Sequence, residues 1–277
     1  MTQGKGTVVI TGAGSGIGRA LTALCAERGY DLVLYDINGE ELESSAETAR
    51  AKGVKVAARV LDVADEGAIN QAAEEVAQEQ GAIRMLFNNA GVALGGLFED
   101  YTPEEYKWLM DINFYGVVNM SRAFLPLLRK YEGKAQLVNV SSVFGIIAPE
   151  GQTAYSAAKF AVRGFSEALR HELEGSNVGV TVVHPGGVAT NIAKRARVSD
   201  KVPKEQHEIA LKRAEKSLSM PPPRAAEIIL NAAERGDGRI LVGTDARILT
   251  AITRAFPIHY WKILKAIPGL RPPERQQ

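Results

Sequence analysis

Thr7-Val8-Val9-Ile10-Thr11 runs directly into Gly12-Ala13-Gly14-Ser15-Gly16-Ile17-Gly18, and an amphipathic stretch continues from there to Arg28. The first five residues have the length and β-branched character of a buried strand. The glycines then serve the backbone: they allow a tight turn and let a pyrophosphate approach the main chain where a helix begins. The positive end of that helix dipole favours a negative ligand. Because position 17 is isoleucine, the run does not fit G-x-G-x-x-G. It fits T-G-x-x-x-G-x-G, with Gly12, Gly16 and Gly18 as the fixed glycines and Ser15 and Ile17 set between them.

The next apolar run, Asp31–Tyr35, ends in Asp36, 24 residues after Gly12. A carboxylate at this strand end can accept hydrogen bonds from the adenosine ribose hydroxyls and would repel a 2′-phosphate. Ser15 stands just before Gly16, where a lysine or arginine would neutralise such a phosphate. Both features favour NAD over NADP.

Beyond this unit the pattern repeats. Further strands are expected at Lys55–Leu61, Arg84–Asn88, Ala135–Val140, Val178–His184 and Arg239–Val242. Helical stretches lie near Ile17–Arg28, Gly39–Lys52, Asp65–Gln80, Pro103–Lys130, Thr153–Glu174 and Pro223–Arg235. The strand runs lack clean alternation, as strands covered on both faces do. Strand–helix alternation with right-handed crossovers implies an α/β fold, a doubly wound parallel sheet of about seven strands. No composition break marks a linker, so residues 1–277 read as one domain. Two segments depart from the rhythm. About 191–222, no strand is expected and charges are dense, which suggests a substrate lid. From about 245 to 277 the chain becomes an apolar and basic extension.

The 277 residues are 45% hydrophobic and 23% charged, ordinary for a globular protein. A net charge of +1 argues against a nucleic-acid partner. It hides an asymmetry: up to Gly186 there are 16 basic and 23 acidic residues, and from Gly187 onward 17 and 9. The single cysteine, Cys25, excludes an intrachain disulfide and fits a reducing compartment. Four scattered histidines give no metal-ligand spacing, so no metal is expected. Met1–Gly6 is polar, unlike the start of a signal peptide, and no run approaches the ~20 apolar residues of a membrane span. The expectation is a cytoplasmic protein.

Tyr155-Ser156-Ala157-Ala158-Lys159 sets a phenol and an ammonium four residues apart on one helix face. Such a pair is common by chance; its position gives it weight. It follows a strand ending in Val140-Ser141-Ser142, so a serine hydroxyl and the phenol can meet at the sheet's carboxyl edge, where ligands bind. A tyrosine has a pKa near ~10 and is a poor base. A lysine cation and the positive nicotinamide of an oxidised cofactor would lower it. Tyr155 could then take a proton from an alcohol as hydride leaves, or donate one to a carbonyl, with Ser142 holding the substrate oxygen.

These residues together resemble the short-chain dehydrogenase/reductase family, NAD(P)-dependent oxidoreductases on a single Rossmann domain. The resemblance runs from about Thr7 to Val242. It implies that Asp62-Val63 meets the adenine and that Asn88-Asn89-Ala90-Gly91 is the family's N-N-A-G, with Asn89, Ala90 and Gly91 at the cofactor. Asn113 corresponds to the asparagine that holds a proton-relay water. Ser142, 13 residues before Tyr155, has the family offset and is preferred to Ser141. Pro185-Gly186-Gly187-Val188-Ala189-Thr190 matches P-G-x-V-x-T, which implies cofactor contacts from Pro185, Gly186, Val188 and Thr190. Tyr155 and Lys159 also touch the cofactor by this resemblance, Lys159 at the nicotinamide ribose. The catalytic set is therefore Asn113, Ser142, Tyr155 and Lys159. Homodimers or homotetramers through Pro103–Lys130 and Thr153–Glu174 are implied as well.

The loops expected to face the nicotinamide carry Val92, Leu94, Leu97 and Phe98, and Phe144, Ile146, Ile147 and Ala148. Such linings suit a lipophilic alcohol, aldehyde or ketone; packing of these loops onto the body is the alternative. The lid holds eight basic and four acidic residues, fit for an anionic head group or for a solvated helix face. In the extension, Ile248, Leu249, Ile252 and Phe256 recur at helical spacing, and Tyr260, Trp261, Leu264 and Ile267 follow Pro257. Arg247, Arg254, Lys262 and Lys265 sit among them. This composition allows peripheral contact with an anionic membrane, a subunit interface, or cover for the domain's own flank. Two other functions share parts of this pattern. A sugar-nucleotide epimerase or dehydratase also uses Y-x-x-x-K but carries a T-G-x-x-G-x-x-G turn and a larger C-terminal domain. A dinucleotide sensor without turnover would have a damaged catalytic set.

Overall fold

The computed structural model describes residues 5–266. In chain order the strands are β1 (Thr7–Thr11), β2 (Asp31–Asp36), β3 (Val56–Val60), β4 (Met85–Asn88), β5 (Leu94–Gly95), β6 (Ala135–Val140), β7 (Val178–Pro185), β8 (Arg197–Val198) and β9 (Arg239–Val242). The helices are α1 (Gly16–Glu27), α2 (Gly39–Arg50), α3 (Glu66–Gln80), α4 (Pro103–Met110), α5 (Gly116–Arg129), α6 (Thr153–Glu172), α7 (Lys204–Ser217), α8 (Pro222–Arg235), α9 (Thr244–Ala255) and α10 (Tyr260–Ala266).

Seven strands form one sheet in the order β3-β2-β1-β4-β6-β7-β9, and every neighbouring pair is parallel. This is the Rossmann-type α/β fold that the repeated strand–helix rhythm predicts. Strands β1, β4 and β6 are buried at every residue, which is why their sequences show no alternation. One face is covered through Leu21, Cys25, Leu42 and Ile229, the other through Ile69, Phe124, Leu128 and Leu169. The order reverses beside β1, whose neighbours are β2 and β4. That switch point opens the crevice in which such sheets bind ligands.

Two local expectations need correcting. The single helix expected over Pro103–Lys130 is interrupted by a π-helical turn at Asp111–Tyr115. Gly116 then lies under the Val63 carbonyl, where a Cβ would sit 2.9 Å away. One inserted residue does not disturb an apolar period enough to be read. The segment after Thr190 does contain a strand, since β8 pairs with β5 in a two-stranded sheet, and α7 follows it. Two residues carry no pattern, and α7 has no fully buried residue. Met220 closes the segment: Ala189 N–H donates to its carbonyl at 2.8 Å.

Of the three readings of the extension, cover for the chain's own flank is what its inner face provides. Ala246, Leu249, Ile252, Tyr260, Trp261 and Leu264 pack with Val143, Ile146 and Ile147. Ile267 and the rest of the extension lie outside the described residues. Among the described residues no helix is long and apolar enough to cross a membrane.

Under the carboxyl edge, buried polar side chains join the two central strands to the helices. Asn88 Nδ2 donates to Asn139 Oδ1 at 2.9 Å and to Ser121 Oγ on α5 at 3.0 Å. Asn139 Nδ2 donates to Ser166 Oγ on α6 at 3.0 Å. Without Asn139, Ser166 Oγ would lose this donor and Asn88 Nδ2 would keep only Ser121 Oγ and the Val117 carbonyl. Asn139→Ala is expected to cost about 1–3 kcal/mol, read by urea denaturation.

Candidate active site

The glycine turn is locked at the switch point before any ligand is considered. Thr11 Oγ1 accepts the N–H groups of Asn89 and Ala90, both at 3.0 Å. Asn89 Nδ2 donates to the carbonyls of Thr11 at 3.0 Å and Gly12 at 3.2 Å. Gly12 has φ +65°, and a Cβ on it would lie 2.9 Å from Ala90 Cα. Gly18 is required by contact, since its Cβ would fall 1.9 Å from the Gly12 carbonyl oxygen. Ser15 caps α1 with extended backbone, but its side chain takes no capping bond, and the first turn carries no acid. The N–H groups and positive dipole at the head of α1 are left for an anion. Thr190 comes across from the opposite loop, its Cγ2 3.0 Å from where a Cβ on Gly16 would be. Ile17 packs its side chain against the core behind the turn.

Asp36 faces this turn. Its Oδ2 accepts from Gly14 N–H at 2.8 Å and its Oδ1 from Asn38 N–H at 2.9 Å. Arg19 and Arg195 approach the same corner, and both are engaged. Arg19 Nε donates to the Gly14 carbonyl at 2.8 Å, and Arg195 forms a two-point pair with Glu41, one contact at 2.8 Å. Asp62 stands exposed at the end of β3, bonded to Ala64 N–H at 2.9 Å, while Val63 is buried beside Gly116. Ile37, 68% exposed, follows Asp36.

The proton-handling candidates converge over the edge of β6. Ser141 is spoken for, its hydroxyl donating to the Lys159 carbonyl at 2.8 Å. Gly145 allows that approach, because a Cβ there would meet Ser141 Oγ at 2.4 Å. Ser142 is the hydroxyl beside Tyr155. Burial pushes the Tyr155 phenol up to about 12, against a smaller downward pull from the Ser142 hydroxyl. Lys159 is 3% exposed, and burial brings its ammonium down to about 8. Its Nζ donates to the Val140 carbonyl at 3.1 Å and lies 5.6 Å from the centre of the Tyr155 ring. Asn113, buried in the π turn, gives both ends of its amide to Val92: Oδ1 accepts from the Val92 N–H and Nδ2 donates to the Val92 carbonyl, each at 2.8 Å. Gly91 lies between, with Asn113 Oδ1 3.0 Å and Lys159 Nζ 3.5 Å from its would-be Cβ. The glycine turn and this cluster thus share one crevice.

A family model for short chain dehydrogenases matches residues 6–201. The chain belongs to the short-chain dehydrogenase family. It is 39% identical over 267 residues to SadH of Mycobacterium tuberculosis, whose name gives an oxidoreductase and no substrate, covering 95% of each chain. It is 36% identical to the 3-ketodihydrosphingosine reductase of Bacteroides thetaiotaomicron, covering 70% of this chain and 68% of that one. A short-chain dehydrogenase from Burkholderia phymatum in complex with NAD superposes with TM-score 0.84 at 28% identity, over 92% of this chain and 95% of that one.

The loops of this short-chain dehydrogenase divide between lining and packing. Leu94, Ile146 and Ile147 are buried in the body, whereas Phe144 stays beside Tyr155, its ring edge-on at 6.1 Å, and Val92 is partly buried against the cluster of Leu94, Ala154 and Ala158. Phe98 is exposed. Leu97, half-buried, is held by its N–H to Asp100 Oδ2 at 2.7 Å. A cavity of about 690 Å³ lies between Ala148, Ser156, Phe160 and Trp261, and Tyr155 does not line it. Sequence reasoning missed two supports. His184 donates from Nδ1 to the Ser142 carbonyl at 2.8 Å, and burial holds its pKa down at about 4, so it is neutral. Asp245 Oδ2 accepts from Gly187 N–H at 2.6 Å, tying α9 to the Pro185–Thr190 loop. Both are long-range pairings with no spacing to announce them; the one available signal was the histidine just before Pro185.

The buried ammonium sets a stability balance. Below about pH 8 Lys159 is charged in folded and unfolded chain alike, and its desolvation opposes folding in full. Between about 8 and 10.5 the folded chain has released the proton while the unfolded chain still holds it, so the penalty fades as pH rises. Lys159→Met is therefore expected to raise stability at pH 7 by about 1–3 kcal/mol, read by urea unfolding, with the gain vanishing above pH 10.5 and turnover lost throughout.

Proposed function

We propose that this oxidoreductase is an NAD-dependent enzyme interconverting a lipophilic alcohol and its carbonyl compound. The observation that carries the reading is the meeting of Ser142, Tyr155 and Lys159 in the crevice that holds the glycine turn. NAD supplies the hydride acceptor or donor and, when oxidised, a positive charge. Gly12, Ser15, Gly16, Ile17 and Gly18 would hold its pyrophosphate, and Asp36 its adenosine ribose. Asp62 and Val63 would flank the adenine, while Asn89, Ala90, Gly91, Pro185, Gly186, Val188 and Thr190 would hold the nicotinamide half with Lys159.

Within the crevice Tyr155 exchanges the proton with the substrate oxygen and Ser142 orients that oxygen. With its pKa pushed up to about 12, the phenol is a ready donor to a carbonyl at neutral pH, so reduction is the direction its own state favours. Taking a proton from an alcohol needs a cation nearby, and the Lys159 ammonium is the chain's own. Asn113 acts by fixing Val92 behind Gly91. Phe144 beside the phenol supports an apolar substrate, as does a relative named as a 3-ketodihydrosphingosine reductase. The engaged state of Arg19 and Arg195 leaves Asp36 as the charge a 2′-phosphate would meet, which supports NAD. A homodimer or homotetramer through α5 and α6 would cover Tyr115 and Phe160, which stand exposed.

Tyr155→Phe is expected to lower turnover at least about 100-fold while NAD affinity, read by calorimetry, stays within a few-fold. The decisive assay is a panel of medium- and long-chain alcohols and ketones with NAD(H) and NADP(H). Full turnover by that variant, or activity confined to sugars, would refute the reading. Asp36→Asn is expected to narrow the preference for NAD over NADP by roughly tenfold or more, measured as the ratio of kcat/KM values; an unchanged ratio would remove Asp36 from its role.

A further inference from the structure

The hairpin of α9 and α10 has two faces of opposite character. Its inner face is consumed by Val143, Ile146 and Ile147. Its outer face exposes Ile248 at 53%, Phe256 at 52% and Ile258 at 82%, the last two flanking Pro257 in the corner between the helices. Arg247, Ile248, Ala251 and Arg254 recur at positions that share one side of α9, and all four are exposed. Lys262 and Lys265 are exposed on α10. Asp245, the sole acidic residue from 244 to 266, is turned inward to Gly187 N–H.

On this surface unpaired cations lie beside exposed apolar side chains, with no free carboxylate among its described residues. Elsewhere basic side chains pair repeatedly: Arg28 with Glu234, Arg59 with Glu75 and Glu79, Arg163 with Glu167, Arg224 with Glu227. Among the described residues, Arg247, Arg254, Lys262 and Lys265 form no ion pair. A protein partner with a matching acidic surface would leave Phe256 and Ile258 in need of pockets. An anionic bilayer meets both demands with one chemistry, head groups for the cations and acyl chains for the apolar corner.

We infer that the α9–α10 corner docks this protein peripherally on an anionic phospholipid bilayer, with Phe256 and Ile258 inserted at the interface and Arg247, Arg254, Lys262 and Lys265 against the head groups. The same two helices touch the site from both sides. They pack on Val143, just after Ser142, and hold Gly187 through Asp245; Tyr260 Oη accepts the Ala148 N–H at 3.2 Å. A docked hairpin would set the mouth of the crevice beside the lipid surface. The inference does not depend on the identity of the substrate.

The test is cosedimentation of the full-length protein with vesicles of phosphatidylcholine alone and of phosphatidylcholine with phosphatidylglycerol. Wild-type protein is expected to pellet with the anionic vesicles only and to be released by high salt. Phe256→Ser with Ile258→Ser, and separately Arg247→Glu with Arg254→Glu, are expected to reduce partitioning roughly tenfold or more. Thermal melting and turnover on a water-soluble substrate should stay unchanged, because these side chains are exposed and outside the crevice. Wild-type protein remaining in the supernatant at low salt would overturn the inference. So would partitioning indifferent to both double variants, or a loss of oligomeric mass in the Phe256→Ser/Ile258→Ser protein by ultracentrifugation, which would make the corner an interface between copies. Because vesicle binding is read without turnover, its failure is distinguishable from failure of the proposed chemistry.

Discussion

A reciprocal clamp between Thr11 and Asn89 is the constraint on which the site depends. Side chain of one strand end binds main chain of the next, in both directions, across the place where the sheet changes its order of growth. The clamp fixes how far β1 and β4 part above their last paired residues. That distance decides whether Gly12 can pass under Ala90 and whether Gly18 can lie against the Gly12 carbonyl. Loosening it would move the head of α1, and with it every N–H aimed at a phosphate. From the same end of β4, Gly91 leads to Val92, which Asn113 holds from the π turn. The glycine turn and the surroundings of Tyr155 and Lys159 are thus positioned from a single junction.

Desolvation acts on Tyr155 and Lys159 in the sense opposite to charge pairing. Neither has a carboxylate partner, and burial shifts each toward its neutral form, the phenol up and the ammonium down. The result is a pair of groups whose pKa values are driven apart, to about 12 and about 8, with Ser142 between the phenol and the strand end. Such a pair responds strongly to any charge brought into the crevice, because little water is present to screen it. His184 contributes from behind as a neutral donor that fixes the Ser142 carbonyl, so the hydroxyl is held without adding another charge.

Much of this was legible in the sequence, for physical reasons that differ by residue. The central strands β1, β4 and β6 were readable because burial on both faces writes unbroken apolar runs, and the glycine turn because steric demand there admits no other residue. Tyr155 and Lys159 were readable because one helix face links them. What stayed hidden depends on pairings between distant segments or on geometry without periodicity. The π turn adds one residue to an apolar period that otherwise continues. Leu94, Ile146 and Ile147, expected to line the substrate space, pack inward, since an apolar loop residue has the same composition whether it meets ligand or body. Asp245 and Gly187 lie 58 positions apart, and no local rule joins them.

The charge asymmetry of the chain also changes meaning once the pairs are known. The basic excess after Gly186 looked like a property of lid and extension alike. In the segment after Thr190 two cations are paired, Arg195 by Glu41 and Lys194 by Glu215, and Arg197 lies over the Trp108 ring at 3.8 Å, while Lys201, Lys204, Lys212 and Lys216 form no ion pair among the described residues. Around α8 and β9, Arg224, Arg235 and Arg239 find carboxylates too. On the outer face of α9 and α10 the unpaired part of the excess coincides with the exposed apolar corner. Charge that is paired serves the fold; charge left unpaired beside exposed apolar surface is retained against both solvation and packing preferences. Its location on the helices that buttress Val143 and Gly187 means that whatever binds this face acts on the two loops flanking the reacting groups.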